Sequence, residues 1–365
     1  MIYFDSGATT LQKPPAVAKT AAYAMRRFAS PGRGGHRPAM LAAEGVYACR
    51  LEAAALFDAE PEQVVFTMNA THGLNVAIKT LLKAGDEAVI SGFEHNSVTR
   101  PLYHLGAQVT VAGRKLFDPA DTLAQFDRAV TRRTKAVILT HVSNVFGYVL
   151  PVEQIAALCR ERGVPLVLDA SQSAGALPVS LKKLGAAFIA MPGHKGLFGP
   201  QGTGILLCAR QPETLLEGGS GSVSKNPDMP DFLPDRLEAG TANTAGICGL
   251  AEGIRFVRKR GTERIFAREQ SLTRQLVREL SDIPNVRVFT GPGQAGVVSF
   301  LLGDEDCEQT AARLAEKDVC VRAGLHCAPL AHESAGTLET GTVRASFSAF
   351  STEREVRRFV RLLKK

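Results

Sequence analysis

Five short apolar runs constrain this chain more than any single residue does: VVFT at 64–67, EAVIS at 87–91, KAVILTHV at 135–142, VPLVLDA at 164–170 and AFIAM at 187–191. None approaches the roughly 18 residues a membrane span needs. Stretches with helical spacing separate them, as in Leu74, Ala77, Ile78 and Leu81, or Val152, Ile155, Ala156 and Cys159, with Gly163 placed to end the second of these helices. Strands bounded by helices predict an α/β fold with a mostly parallel sheet sandwiched by helices. Ligands of such sheets bind at the carboxyl ends of the strands, so the residues just after each run matter most.

The rest of the chain reads differently. Residues 220–236 crowd glycine, serine and proline into an irregular loop. Helical patterns over 246–260 and 263–280 then lead to strands expected at 286–289, 296–302 and 342–347, which predicts a smaller α+β domain. The expected division is a large domain over 15–245 and a small one made of 1–14 and 246–365. Val356, Phe359, Val360 and Leu363 share one face of the final helix, so its arginines and lysines read most simply as the solvated side.

Composition serves mainly to exclude. With 365 residues, 45% hydrophobic and 22% charged, the chain has the make-up of a folded globular protein. Its 43 basic and 36 acidic side chains leave a net +7, suited to an anionic small molecule without requiring nucleic acid. The seven cysteines (49, 159, 208, 248, 307, 320 and 327) are odd in number and include no CxxC pair, which fits a reducing compartment better than a disulfide framework or a zinc site. No metal site, membrane anchor or secretory signal is expected, and the expected location is cytoplasmic.

Polar residues follow the runs in a consistent way. Lys195, in PGHKGLFGPQGTG, is a lysine that desolvation and neighbouring cations could turn into a nucleophile, although a surface turn lysine would look the same. Asp169 ends VPLVLDA, with Gln172 three residues later; it would suit a protonated heterocyclic nitrogen or, alternatively, cap the next helix. An acid and a lysine after successive strands of one sheet are harder to explain separately than together. Ala70 and Thr71 stand at a helix start able to receive a phosphate, a place where Thr71 or Asn69 would also act as an ordinary cap. His95 in EHNS offers a flat ring for stacking, and Asn144 in HVSNVFG adds another polar strand end.

Taken in order, FDSGATT, RGGHR, FTMNATHGLN, EHN, HVSNVFG, LVLDASQSAG, GHKGLFGPQGTG, LEAGTANT, RAGLHCAPL and TVRASFS span about Tyr3 to Glu355. This ensemble resembles the pyridoxal-phosphate-dependent cysteine desulfurases of the class V aminotransferase fold, and within them the group II branch. The resemblance implies a fold-type-I homodimer that converts L-cysteine to alanine and passes sulfur to an acceptor protein. It implies that Lys195 holds pyridoxal 5'-phosphate as a Schiff base, Asp169 pairs with the ring nitrogen, Gln172 contacts the phenolic oxygen, His95 stacks on the ring and Asn144 lies alongside. Thr71, the Ala70 amide and His194 would hold the phosphate, with Gly240 and Thr241 reaching the other subunit's cofactor. Arg344 would clamp the substrate carboxylate, and Cys327 would accept the sulfur, activated by His326 and Arg322.

Two departures accompany the resemblance. Pro192 stands where relatives usually carry serine or threonine, which removes one hydroxyl and one N–H from the expected phosphate cradle and leaves Ser171 or a water to replace them. His72 replaces an expected glutamate, and Leu325 precedes His326, so the mouth of the site differs. L-Selenocysteine is therefore an alternative substrate. Another class V reaction, transamination or epimerisation, and a non-catalytic sulfur-relay scaffold or nucleic-acid binder are the remaining alternatives; a scaffold would have no use for Lys195, Asp169, His95 and Cys327 together.

Overall fold

The computed structural model describes residues 1–32 and 34–364. Arg33, which opens the RGGHR motif, and Lys365 lie outside the described residues. Seven strands form the central sheet in the spatial order Val64–Thr67, Gly204–Cys208, Phe188–Pro192, Leu166–Asp169, Thr134–Thr140, Glu87–Ser91 and Gln108–Ala112. Gly204–Cys208 is antiparallel to both its neighbours, and the other adjacent pairs are parallel. Four of these strands (64–67, 166–169, 188–192 and 204–208) are buried at every residue, which is why they are continuous apolar stretches without alternation.

Helices cover both faces because each strand sends alternate side chains to opposite sides. Val65, Ile90, Ile138 and Val167 meet Leu74 and Ile78 of helix Ala70–Leu81 and Leu102 of helix Asn96–Leu105. Val64, Val89, Val137 and Leu168 belong to the opposite cluster, with Phe57, Phe126 and Ile155 from three other helices. Each such fully buried side chain contributes about 1.5–3 kcal/mol.

A second, three-stranded antiparallel sheet places Val297–Leu302 between Val286–Phe289 and Val343–Ser346. Its core joins Leu272 and Leu276 of helix Thr262–Ser281 to Phe359 and Leu363 of helix Glu353–Leu363, together with Ile2 and Phe4. The amino-terminal strand Ile2–Tyr3 pairs with Val319–Cys320, so the first residues belong with the last third of the chain. Helix Thr244–Arg260 packs with helices Pro15–Arg27 and Arg37–Phe57, and its Ile247, Leu250 and Ile254 share the cluster of the large sheet. This helix, which the sequence reading grouped with the smaller domain, thus packs against the large sheet's cluster.

One buried ion pair ties the irregular segment to the sheet. Arg50 grips Glu238 with both Nη groups (3.0 and 2.9 Å), also donates to the Val64 carbonyl, and lies over the Phe66 ring. Glu238 in turn accepts the Phe66 amide at 2.8 Å. Arg50→Ala leaves that carboxylate largely buried without its cation. The expected result is a loss of about 3–5 kcal/mol in urea unfolding, whereas exposed pairs such as Lys182–Glu60 should lose no more than about 1 kcal/mol.

Candidate active site

Eight of the residues singled out from sequence line one crevice at the carboxyl ends of the parallel strands: Ala70, Thr71, His95, Asn144, Asp169, Gln172, His194 and Lys195. The larger surface cavity beside Arg354 and Arg361 lies on the final helix and is charged in character. Strand register explains the convergence. Asp169 closes its strand opposite Thr140 on one side and Ala190 on the other, so the residues that follow those strands emerge over the same edge.

Asp169 is 3% exposed, and its Oδ1 accepts the Ser171 amide at 2.9 Å. It therefore shapes a turn; the next helix, Leu181–Leu184, has Ser180 as its cap. Gly175 and Gly196 let that turn and the lysine loop touch. A β-carbon on Gly175, whose φ is +91°, would meet the Gly196 carbonyl oxygen at 2.1 Å. Thr10 braces the same loop from the amino-terminal segment, its hydroxyl donating to the carbonyls of His194 (2.9 Å) and Lys195 (3.2 Å).

Lys195 Nζ has no hydrogen-bond partner among the described residues. Desolvation in the crevice pushes its ammonium down to about 8; Asp169 opposes the shift, and Arg344 and Arg322 add to it. The side chain is partly open to the crevice by area yet deep within it, and depth is what sets the shift. Burial also lowers His194, to about 4, and His95, with Lys195 and Arg344 reinforcing the latter effect against Asp169. Both rings are accordingly neutral at pH 7.

Asn69 caps helix Ala70–Leu81 by accepting the His72 amide, which leaves the Ala70 and Thr71 N–H groups without intrahelical acceptors. His95 caps the next helix, its Nδ1 accepting the Ser97 amide at 3.0 Å. Two contributors escaped the sequence reading. Ser97 lines the crevice and bonds to Thr71, although the EHNS motif displayed it. Glu94 is fully buried, and burial pushes its carboxyl up to about 8 despite bonds from the Ser91 hydroxyl and the Thr140 amide, with Asp169 adding to the rise. It joins two strand ends directly beside His95.

Arg344 and Cys327 are not among the residues that line this crevice; Arg344 and the Cys327 loop connect to it through Asn144. Arg344 is 2% exposed, donates from Nη1 to the Asn144 carbonyl and from Nη2 to Asp5 (2.9 Å each), and keeps Nε without a partner. Cys327 is exposed, and its loop docks through the Asn96 amide on the Cys327 carbonyl (2.7 Å) and the Asn144 side chain on the His326 carbonyl (2.8 Å). His326 and Cys327 have φ of 51° and 56°, a left-handed conformation costing about 1–2 kcal/mol per residue, which those two bonds hold in place.

The expectation that His326 activates Cys327 as a cation is corrected here. Its ring is buried and stacked on His332 (5.7 Å between centroids, 13°), and desolvation with Arg344 pushes it down to about 2. Arg322 remains as the nearby cation, paired with Asp5. Gly240 and Thr241 do not line the crevice; they border two other cavities, near the half-exposed Tyr47 and Met68.

Comparison with known proteins identifies the family. The aminotransferase class-V family model matches residues 2–359. A probable cysteine desulfurase of Xylella fastidiosa strain 9a5c is 34% identical, covering all of this chain and 90% of that protein. One from Methanothermobacter thermautotrophicus is 32% identical over 97% of this chain and 92% of its own. The apo structure of a cysteine desulfurase from Thermococcus onnurineus NA1 superimposes with a TM-score of 0.90 at 32% identity, covering all of this chain and 94% of that one. On a family-model match over nearly the whole chain, full-length relatives and a shared fold, the chain belongs to the class V aminotransferase family, among relatives that carry the name cysteine desulfurase.

Proposed function

We propose that the chain is a pyridoxal-5'-phosphate-dependent cysteine desulfurase that converts L-cysteine to L-alanine and passes the sulfur through Cys327 to an acceptor protein. The observation that carries this reading is the crevice itself, where Lys195, its ammonium lowered, shares a sheet edge with the buried Asp169 beside the open amides of a helix start. The residues present fit the cofactor. Ala70, Thr71 and His194 would hold its phosphate, Asp169 its ring nitrogen, Gln172 its phenolic oxygen, His95 its ring face with Asn144 alongside, and Lys195 its aldehyde carbon. Gln172 donates one Nε2 hydrogen to the Gly7 carbonyl (2.9 Å) and has the other to offer. When bound, the cofactor supplies an electron sink for the carbon that bears the substrate's carboxylate.

The chain's own residues do the rest. Lys195, able to exist as a neutral amine near neutrality, removes and returns the proton at the substrate Cα. Arg344 is held rigid by Asn144 and Asp5, and its unpaired Nε provides one prong for the substrate carboxylate. Cys327 receives the sulfur: an S–S bond forms as the substrate's Cβ–S bond breaks, and the carbon skeleton, after gaining a proton, leaves as alanine. The active unit in this reading is a homodimer, in which Gly240 and Thr241, beside Tyr47 and Met68, face the partner's cofactor. Seven unpaired cysteines support a cytoplasmic setting. No helix among the described residues is long and apolar enough to cross a membrane.

The test is direct. Purified protein loaded with the cofactor, given cysteine and a thiol reductant, should release alanine and sulfide in equal amounts. Release of neither would refute the reading, and turnover of selenocysteine alone would redirect it to a lyase.

A further inference from the structure

We infer that Ser97 supplies the hydroxyl that Pro192 withholds from the anion seat and links that seat to His95. The inference rests on the cofactor reading above. Ser97 is 8% exposed and lines the crevice with Asn69, Ala70 and Thr71. Its Oγ lies 2.7 Å from Thr71 Oγ1 and 2.8 Å from His95 Nδ1, while its amide donates to that same Nδ1 at 3.0 Å. Because Nδ1 accepts the amide hydrogen, it carries the ring's lone pair, and the single proton of the neutral imidazole sits on Nε2.

Two hydroxyl hydrogens are then shared among three centres. Without an anion, Thr71 can donate to Ser97 and Ser97 to His95. An anionic oxygen at the helix start draws the Thr71 hydrogen to itself, because hydrogen bonds to charged acceptors are the stronger ones. Thr71 Oγ1 is then free to accept, and Ser97 turns its hydrogen from His95 to Thr71. The seat gains a second hydroxyl dipole behind the first, and His95 Nδ1 loses a donor in the same event. Pro192, which also lines the crevice, has neither hydroxyl nor N–H to offer. Ser171, the replacement expected from sequence, also lines the crevice, but it is Ser97 whose hydroxyl is bonded to Thr71.

The experiment uses the full chain freed of cofactor, with inorganic phosphate and pyridoxal 5'-phosphate as separate probes and ¹⁵N-histidine NMR as the structural readout. Ser97→Ala should weaken the binding of both probes about tenfold or more, and Ser97→Thr should restore most of it. Phosphate should shift the His95 Nδ1 resonance in wild type and leave it unmoved in Ser97→Ala. If Ser97→Ala binds both probes as tightly as wild type, or if Ser171→Ala alone carries the loss, the inference is overturned while the functional reading stands. If the wild-type chain takes up neither probe, both fall together.

Discussion

Lys195→Ala should take up no covalently held cofactor and lose alanine release by roughly 10⁴-fold or more, the scale expected when a group that bonds to the reacting centre is removed. The reason lies in the depressed ammonium. With a pKa of about 8, roughly one tenth of Lys195 is the neutral amine at pH 7, against less than about 0.1% for an ordinary lysine. Attachment to wild type should accordingly speed up as pH rises through about 8 and level off above it. Borohydride reduction followed by peptide mapping reads this out; the label should fall on the peptide containing Lys195 and on none in the variant. Folding gives a separate control. A lysine whose pKa is lowered in the folded state makes the fold less stable as pH falls from about 10.5 through about 8, so Tm of Lys195→Ala at pH 7 should match or exceed that of wild type. A labelled peptide elsewhere in wild type would overturn the assignment.

Cys327→Ser should retain the bound cofactor yet lose sulfide release from cysteine by roughly 10³-fold or more. A serine hydroxyl has nearly the same size and hydrogen bonds but does not ionise near neutrality and does not accept sulfur. The other cysteines offer no substitute. Cys49 and Cys208 are buried and pushed well above the ordinary thiol range, Cys159 is raised to about 12 and Cys248 to about 11, in each case chiefly by desolvation. Cys307 and the half-buried Cys320 are also raised. A limiting dose of a thiol reagent should therefore modify Cys327 first. Full sulfide release by Cys327→Ser, with cofactor content unchanged, would remove this cysteine from the reaction.

The doubly covered sheet was legible because parallel strands buried on both faces leave unbroken apolar runs; all five expected runs are strands, with ends differing by at most two residues. Two strands were not. Gln108–Ala112 is an edge strand with Gln108, Val109 and Thr110 exposed, so its sequence looks half polar. Gly204–Cys208 follows directly on the glycine-rich lysine loop and runs antiparallel, with no helical pattern before it to announce a crossover. In the crevice, the polar residues that follow strands lie together because strand ends converge on one edge. What order does not convey is which way a ring or hydroxyl turns. His326 looked like a partner for Cys327 by adjacency, but in the structure it stacks on His332, and Ser97 looked ordinary until its distance to Thr71 was known.

The amino-terminal segment strings three attachments on ten residues: Ile2 on its parallel partner Val319, Asp5 on Arg344 and Arg322, and Thr10 on the backbone of the lysine loop. A swing of the smaller unit away from the large sheet would thus pull on the Lys195 loop and on Arg344 together. Widening the entrance and misaligning the chemistry become one movement. Such a linkage ties the opening of this edge to the placement of Lys195, so the two cannot vary independently.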